Sequence, residues 1–145
     1  METEIHDTPL TLQLYGKSAP IGNDAIGAVG LRLMDAVWRI VAASRIETTG
    51  INHWVYLPQG RLFVGVAIPS GGENQPELEA CSVTLRRYLR HLHVGPYQAL
   101  PAKWQALKQR IADRGDVIGP KSLEIYGHHC DDPARMETTI LIGLL

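Results

Sequence analysis

Cysteine is scarce in this sequence, neither sign of charge is in excess, and no apolar run is long. The two cysteines, Cys81 and Cys130, stand far apart in a chain of 145 residues. That is neither a CxxC spacing nor a disulfide framework, and reduced thiols in a cytoplasmic protein are the expectation. Fourteen Lys and Arg against fifteen Asp and Glu leave a formal charge of −1. The cationic excess that carries bulk nucleic-acid or anionic-membrane binding is therefore missing. No apolar stretch approaches the ~20 residues of a membrane span. The first ten residues, METEIHDTPL, offer neither the cationic flank nor the apolar stretch of a secretion signal. Neither nucleic acid nor a membrane is expected as a direct partner.

What is there suits one ordinary globular domain. With 45% hydrophobic and 20% charged residues, a chain of this length buries roughly two-thirds of its unfolded surface and needs no staples. Proline and glycine are densest at 69–76, a turn signal that splits the chain into two halves. In the first, residues 10–15 alternate apolar and polar as a strand does. Asn23 or Asp24 is placed to cap a helix carrying Ile26, Val29, Leu33, Val37, Ile40 and Val41 on one stripe, with Gly27 and Gly30 weakening its first turns. Residues 54–57 and 62–68 flank a Pro-Gln-Gly turn and read as a hairpin. The second half repeats the order. Residues 83–94 are rich in strand formers, and Pro101 opens a helix with Trp104, Leu107, Lys108 and Ile111 that Gly115 stops. Residues 123–126 and 138–142 then flank Asp131 to Pro133 as a second hairpin. One domain over 1–145, with modules at about 8–69 and 77–145, is the reading; an unrelated α+β sandwich with the same element order is the alternative.

Several motifs fail on spacing. Gly16-Lys-Ser18 looks like the end of a phosphate-binding loop, but the required earlier glycine position is Thr11 and Pro20 follows. Gly22, Gly27 and Gly30 do not make GxGxxG, and no GxSxG elbow occurs. His91, His93, His128, His129 and Cys130, with Asp131 and Asp132, suggest metal, yet neither CxxC nor HExxH spacing appears. The expectation is no metal and no cofactor, with 128–132 a polar hairpin tip and His91 and His93 on a half-exposed strand face. Arg86, Arg87 and Arg90 read as a solvated rim.

Glu124 is the unusual residue. Alternation places it on the same strand face as Tyr126, opposite Leu123 and Ile125. If Leu123 and Ile125 pack on the helices, Glu124 and Tyr126 line the other face, and the tandem argument adds Trp54 and Tyr56 from the first half. A carboxylate among aromatic rings suits an organic cation, through ion pairing and ring faces together. A solvated sheet face with ordinary cross-strand partners is the plainer alternative. Trp104 is likewise either core or the wall of a cleft.

Four segments, His93-Val-Gly-Pro-Tyr97, Trp104-Gln-Ala-Leu107, Ser122-Leu-Glu-Ile-Tyr126 and Glu137-Thr-Thr-Ile-Leu-Ile142, resemble in order and spacing the C-terminal half of GyrI-like small-molecule-binding domains. These include the effector-binding domains of bacterial multidrug-responsive transcription activators. The likeness covers about 83–145; the first half agrees in element order, and its glycine-rich 22–30 segment departs. The resemblance implies an α+β fold of tandem strand–helix–strand–strand modules, forming an antiparallel sheet backed by two helices with a ligand cleft at the pseudo-two-fold. It also implies that Glu124 is the acid meeting aromatic, lipophilic or cationic ligands, with Tyr126, Trp104, Trp54, Tyr56 and Tyr97 around it. Three uses follow: sequestering or sensing such a small molecule; hydrolysis of an electrophilic cyclopropane-bearing natural product, with Glu124 as general acid or base aided by Tyr126; or docking on a macromolecule such as DNA gyrase.

Overall fold

The computed structural model of the chain describes residues 3–128 and 130–145. In chain order the elements are β1 (Thr3–His6), β2 (Leu10–Pro20), α1 (Ile26–Ser44), β3 (His53–Leu57), β4 (Arg61–Val66), β5 (Glu79–Leu85), β6 (Tyr88–Val94), α2 (Leu100–Asp113), β7 (Ile118–Tyr126) and β8 (Glu137–Leu144). The eight strands of the described residues make one antiparallel sheet, ordered β1-β6-β8-β7-β3-β4-β2-β5. Outward from the central β3–β7 seam, β3, β4 and β2 correspond to β7, β8 and β6, and each trio carries one helix. The fold is thus the duplicated α+β arrangement expected, with its pseudo-two-fold at that seam. The two remaining strands are exchanged: β1 pairs with β6 of the second half, and β5 with β2 of the first.

One element differs from the sequence reading. Residues 83–94 are two strands, broken at Arg86 and Arg87, that go to opposite ends of the sheet. Leu85 and Tyr88 are joined by at most ~11 Å of chain. The sheet has to curl to let them meet. Its concave face holds Leu14, Val55, Phe63, Val83, Leu85, Tyr88, Leu123 and Leu141, with no helical residue among them. Burying each such side chain fully contributes roughly 1.5–3 kcal/mol, so this face is a core without helix cover. Arg87 spans the crossing point, reaching Asp7 at 3.0 Å and Asp116 at 2.7 Å, so within the surface rim it also ties two loops, while Arg86 is exposed.

The curl also corrects which face the helices cover. Leu123 and Ile125 pack into the helix-free core, and both helices lie on the Glu124 side. The α1 stripe Val29, Leu33, Val37 and Val41 is buried, with Val29 and Leu33 against Trp54, Leu62 and Val64. Leu100, Leu107 and Ile111 of α2 pack on Leu89, Ile140, Ile142 and Leu144. Neither Asn23 nor Asp24 caps α1; the N-cap is Ala25 without a side-chain bond. Gly22, at φ +61°, turns the chain so that the Asp24 N–H donates to the Ile21 carbonyl at 3.2 Å. Gly16, Lys17 and Ser18 lie inside β2, opposite Gly65, Val64 and Phe63. A Cβ on Gly16 would sit 1.9 Å from the Val64 carbonyl oxygen, so close strand approach explains that glycine.

Candidate functional site

The registers place His91, Ile140, Glu124, Trp54 and Val64 in one row across the helix-covered face. Thr138 and Tyr126 pair in the next row, two residues along each strand. Helix α1 sits over the Trp54 end of the first row and α2 over the Ile140 end. Glu124 lies at the seam between them.

Its carboxylate is 4% exposed and accepts three hydrogen bonds. The hydroxyls of Tyr56 and Tyr126 donate to Oε1 at 2.9 and 2.6 Å, and the Trp104 indole N–H donates to Oε2 at 2.7 Å. Tyr56 comes from β3, Tyr126 from β7 and Trp104 from α2, so both halves and a helix close on one acid. Edge-on ring contacts brace the donors: Trp54 on Tyr126 at 5.4 Å, Tyr56 on Trp104 at 5.6 Å, and Tyr97 on Tyr126 at 5.3 Å between centroids. Such contacts each add roughly 0.5–1.5 kcal/mol beyond burial. Tyr97, 46% exposed, forms the outer edge of the group. The structure therefore brings together all six residues singled out in the sequence.

All three donors are neutral. Among the described residues no Lys, Arg or His is ion-paired with Glu124. Burial, and then the adjacent Glu124 charge and its hydrogen bond, push ionisation of Tyr56 and Tyr126 far above the usual phenol range. Both phenols thus remain proton donors over the working pH range. Charge-assisted bonds of this kind hold an anion firmly, yet they leave one negative charge enclosed by rings. A cation stands at the periphery, where the Lys108 ammonium lies 5.9 Å from the Trp104 ring centroid.

Two contributors escaped the sequence reading. Gly30 lets α1 approach Trp54: a Cβ there would meet the indole Cη2 at 2.1 Å. Its signal is a glycine beside Val29 on an apolar helix stripe, which by itself implies no more than a weak helix start. Met34 receives the Trp54 indole N–H at 3.3 Å, which turns that donor away from Glu124. A thioether beside a stripe residue gives no periodic signal.

The histidines are placed otherwise than expected. His91 and His93 are 5% and 7% exposed, because the first turns of α2 cover that end of β6 and the Thr3 hydroxyl lies 2.6 Å from His91 Nδ1. Cys130 Sγ points to the Asp132 carbonyl at 3.5 Å. His129 lies outside the described residues. Among those described, no three His, Cys, Asp or Glu side chains converge as a metal site, and no helix is long and apolar enough to cross a membrane.

No protein-family model matches the sequence, and no curated protein matches it. The fold has solved counterparts. The EcmrR C-terminal domain superposes with a TM-score of 0.78 at 16% identity, over 100% of this chain and 99% of that one. The structure of SAV2435 bound to tetraphenylphosphonium gives 0.71 at 13% identity, over 100% and 94%. A hydrolase from Listeria innocua gives 0.54 at 12% identity, over 99% and 92%. At these identities the likeness is one of fold, and it spans both halves, including the glycine-rich segment that departs in sequence.

Proposed function

We propose that this chain, whose fold is that of the GyrI-like domains, is a cytoplasmic binding module for a lipophilic organic cation. The ligand would reach Glu124 between α1 and α2, and the protein would thereby sequester or sense the compound. The carrying observation is Glu124: an acid 4% exposed, satisfied by three neutral donors and ion-paired with none of the described residues. The three hydrogen bonds offset part of the several kcal/mol that burying a charge costs, and a cation brought to it would add the missing countercharge while its apolar body meets the ring faces of Trp54, Tyr56 and Trp104. Tyr97, half outside, is placed to move aside on entry. The neighbour solved with tetraphenylphosphonium supports the ligand class, and the free thiols of Cys81 and Cys130 suit a reducing compartment.

The test is thermal unfolding with tetraphenylphosphonium against the neutral, similarly shaped triphenylphosphine oxide. At a hundredfold excess over the dissociation constant a ligand adds about 2.7 kcal/mol of stability, several degrees in Tm for a domain of this size. The cation should give that shift and the oxide a much smaller one. No shift, or equal shifts, would remove the reading. Hydrolysis by the same acid is the second reading, favoured by the hydrolase among the neighbours. Oε1 already accepts two hydrogen bonds and Oε2 one, so a water to be activated would have to take the remaining acceptor position of Oε2. Mass analysis of the bound compound separates the two.

A further inference from the structure

The two borders of the sheet are guarded unequally. One border, β1, has only four residues and carries Glu4 and His6. Short length and charge are two of the devices that keep edge strands from pairing with other chains. The other border, β5, has seven residues and pairs with β2 from Leu85 to Glu79 without a bulge. It contains no proline, lysine or arginine. Its one charge is drawn back over β2, where the Glu79 carboxylate accepts from the Ser18 N–H at 3.0 Å and the Ser18 hydroxyl at 2.6 Å. Among the described residues β5 pairs with β2 alone, and no loop backbone bonds to residues 79–85. The N–H and C=O groups on its outer side are therefore a free row of donors and acceptors.

The sequence across this border says what fits it. Residues 77–87 run Glu-Leu-Glu-Ala-Cys-Ser-Val-Thr-Leu-Arg-Arg, acidic at the start and basic at the end. Such a segment is complementary to itself in reverse. Two copies related by a two-fold axis through Ser82, the middle of β5, pair antiparallel over all seven residues. Ser82 then meets Ser82, Ala80 meets Thr84, and Glu79 meets Leu85. Ala80, Ser82 and Thr84 are exposed, small and uncharged, so nothing on that face repels a second copy. Beyond the strand, Arg86 of each copy comes to the side of Glu77 of the other, and both residues are exposed.

We infer that β5 is the surface through which two copies of this chain associate, each sheet continuing into the other. The pairing is closed. It uses the unguarded border of each copy and leaves only the short, charged β1 borders outside, so the product is a dimer and not a growing array. An edge pairing of this length is small beside the interfaces of permanent dimers, and it dissociates on dilution. Three strands separate β5 from β7, so the inference is independent of what Glu124 binds.

The experiment is sedimentation velocity of the full chain over a concentration series. The wild type should pass from monomer to dimer as concentration rises. Ser82→Lys sets two ammonium groups opposite each other and should abolish the dimer. Thr11→Lys, equally exposed but one strand further in on β2, should leave it unchanged. Arg86→Glu and Glu77→Arg each place like charges at both ends and should each weaken association about tenfold. Mixed in equal amounts, these two variants should form a heterodimer about as tight as the wild-type dimer, because opposite charges again meet at both ends. All four substitutions are at exposed positions, and circular dichroism identical to wild type checks the fold. A monomer at every concentration, a dimer indifferent to Ser82→Lys, association that runs on past the dimer, or a mixture no tighter than either variant alone would each overturn the inference.

Discussion

Replacing Glu124 by Gln removes one charge and almost no volume, and the structure says how the amide must sit. The Trp104 indole can only donate, so the amide oxygen has to face it. The amide N–H groups then face Tyr56 and Tyr126, whose hydroxyls can turn round and accept. The scaffold survives with its phenols reversed, and near-ultraviolet circular dichroism should remain close to wild type. What goes is the attraction for a cation. For a phosphonium centre about 6 Å from the carboxylate at an effective dielectric of 20, the Coulomb energy is about 3 kcal/mol. That corresponds to an affinity loss on the order of a hundredfold. Isothermal calorimetry with tetraphenylphosphonium measures this, with triphenylphosphine oxide as the uncharged control and little changed. If both ligands lose affinity by the same factor, Glu124 acts on the surrounding side chains without recognising charge, and the electrostatic reasoning is wrong.

Gly30→Ala tests the first-half wall. Helix propensity alone predicts a gain of roughly 0.5–1 kcal/mol, but the new Cβ overlaps the Trp54 ring. The expected result is altered tryptophan fluorescence and weaker binding of large cations; unchanged fluorescence with a simple stability gain would refute the close contact. Alkaline unfolding tests the two phenols. Tyr56 and Tyr126 keep their protons in the folded state above the pH at which free phenols lose them. Their contribution to stability is therefore whole below about pH 10 and is lost as pH rises beyond it, by about 1.4 kcal/mol per pH unit for each phenol. The Tyr56→Phe/Tyr126→Phe double variant should show a shallower alkaline decline in denaturant titrations, and an identical slope would contradict the burial argument.

The period-two alternation of 123–126 was enough to put Glu124 and Tyr126 on one face, and the repeat of element order was enough to bring Trp54 and Tyr56 to it. Both are local signals. Which face the helices cover is not local: Leu123 and Ile125 are as apolar as any helix-facing pair, and only the curl of the sheet decides that they pack on other strands. The break at Arg86 and Arg87 was hidden because it contains neither glycine nor proline. Its cause is long-range, in the partners Asp7 and Asp116. The burial of His91 and His93 likewise depends on where α2 and β1 come to rest. The same long-range placement turned Gly30 from a weak helix residue into a seat for an indole.

The traded margins, β1 laid on β6 and β5 laid on β2, fasten each half to the other at both outer borders of the sheet. Such a frame resists spreading like a book. On the binding reading proposed above, a guest that needs more room would obtain it by swinging side chains such as Tyr97 and Trp104 rather than by parting the halves. Breadth of choice among guests of differing girth is then a matter of rotamers, set on a backbone that stays still.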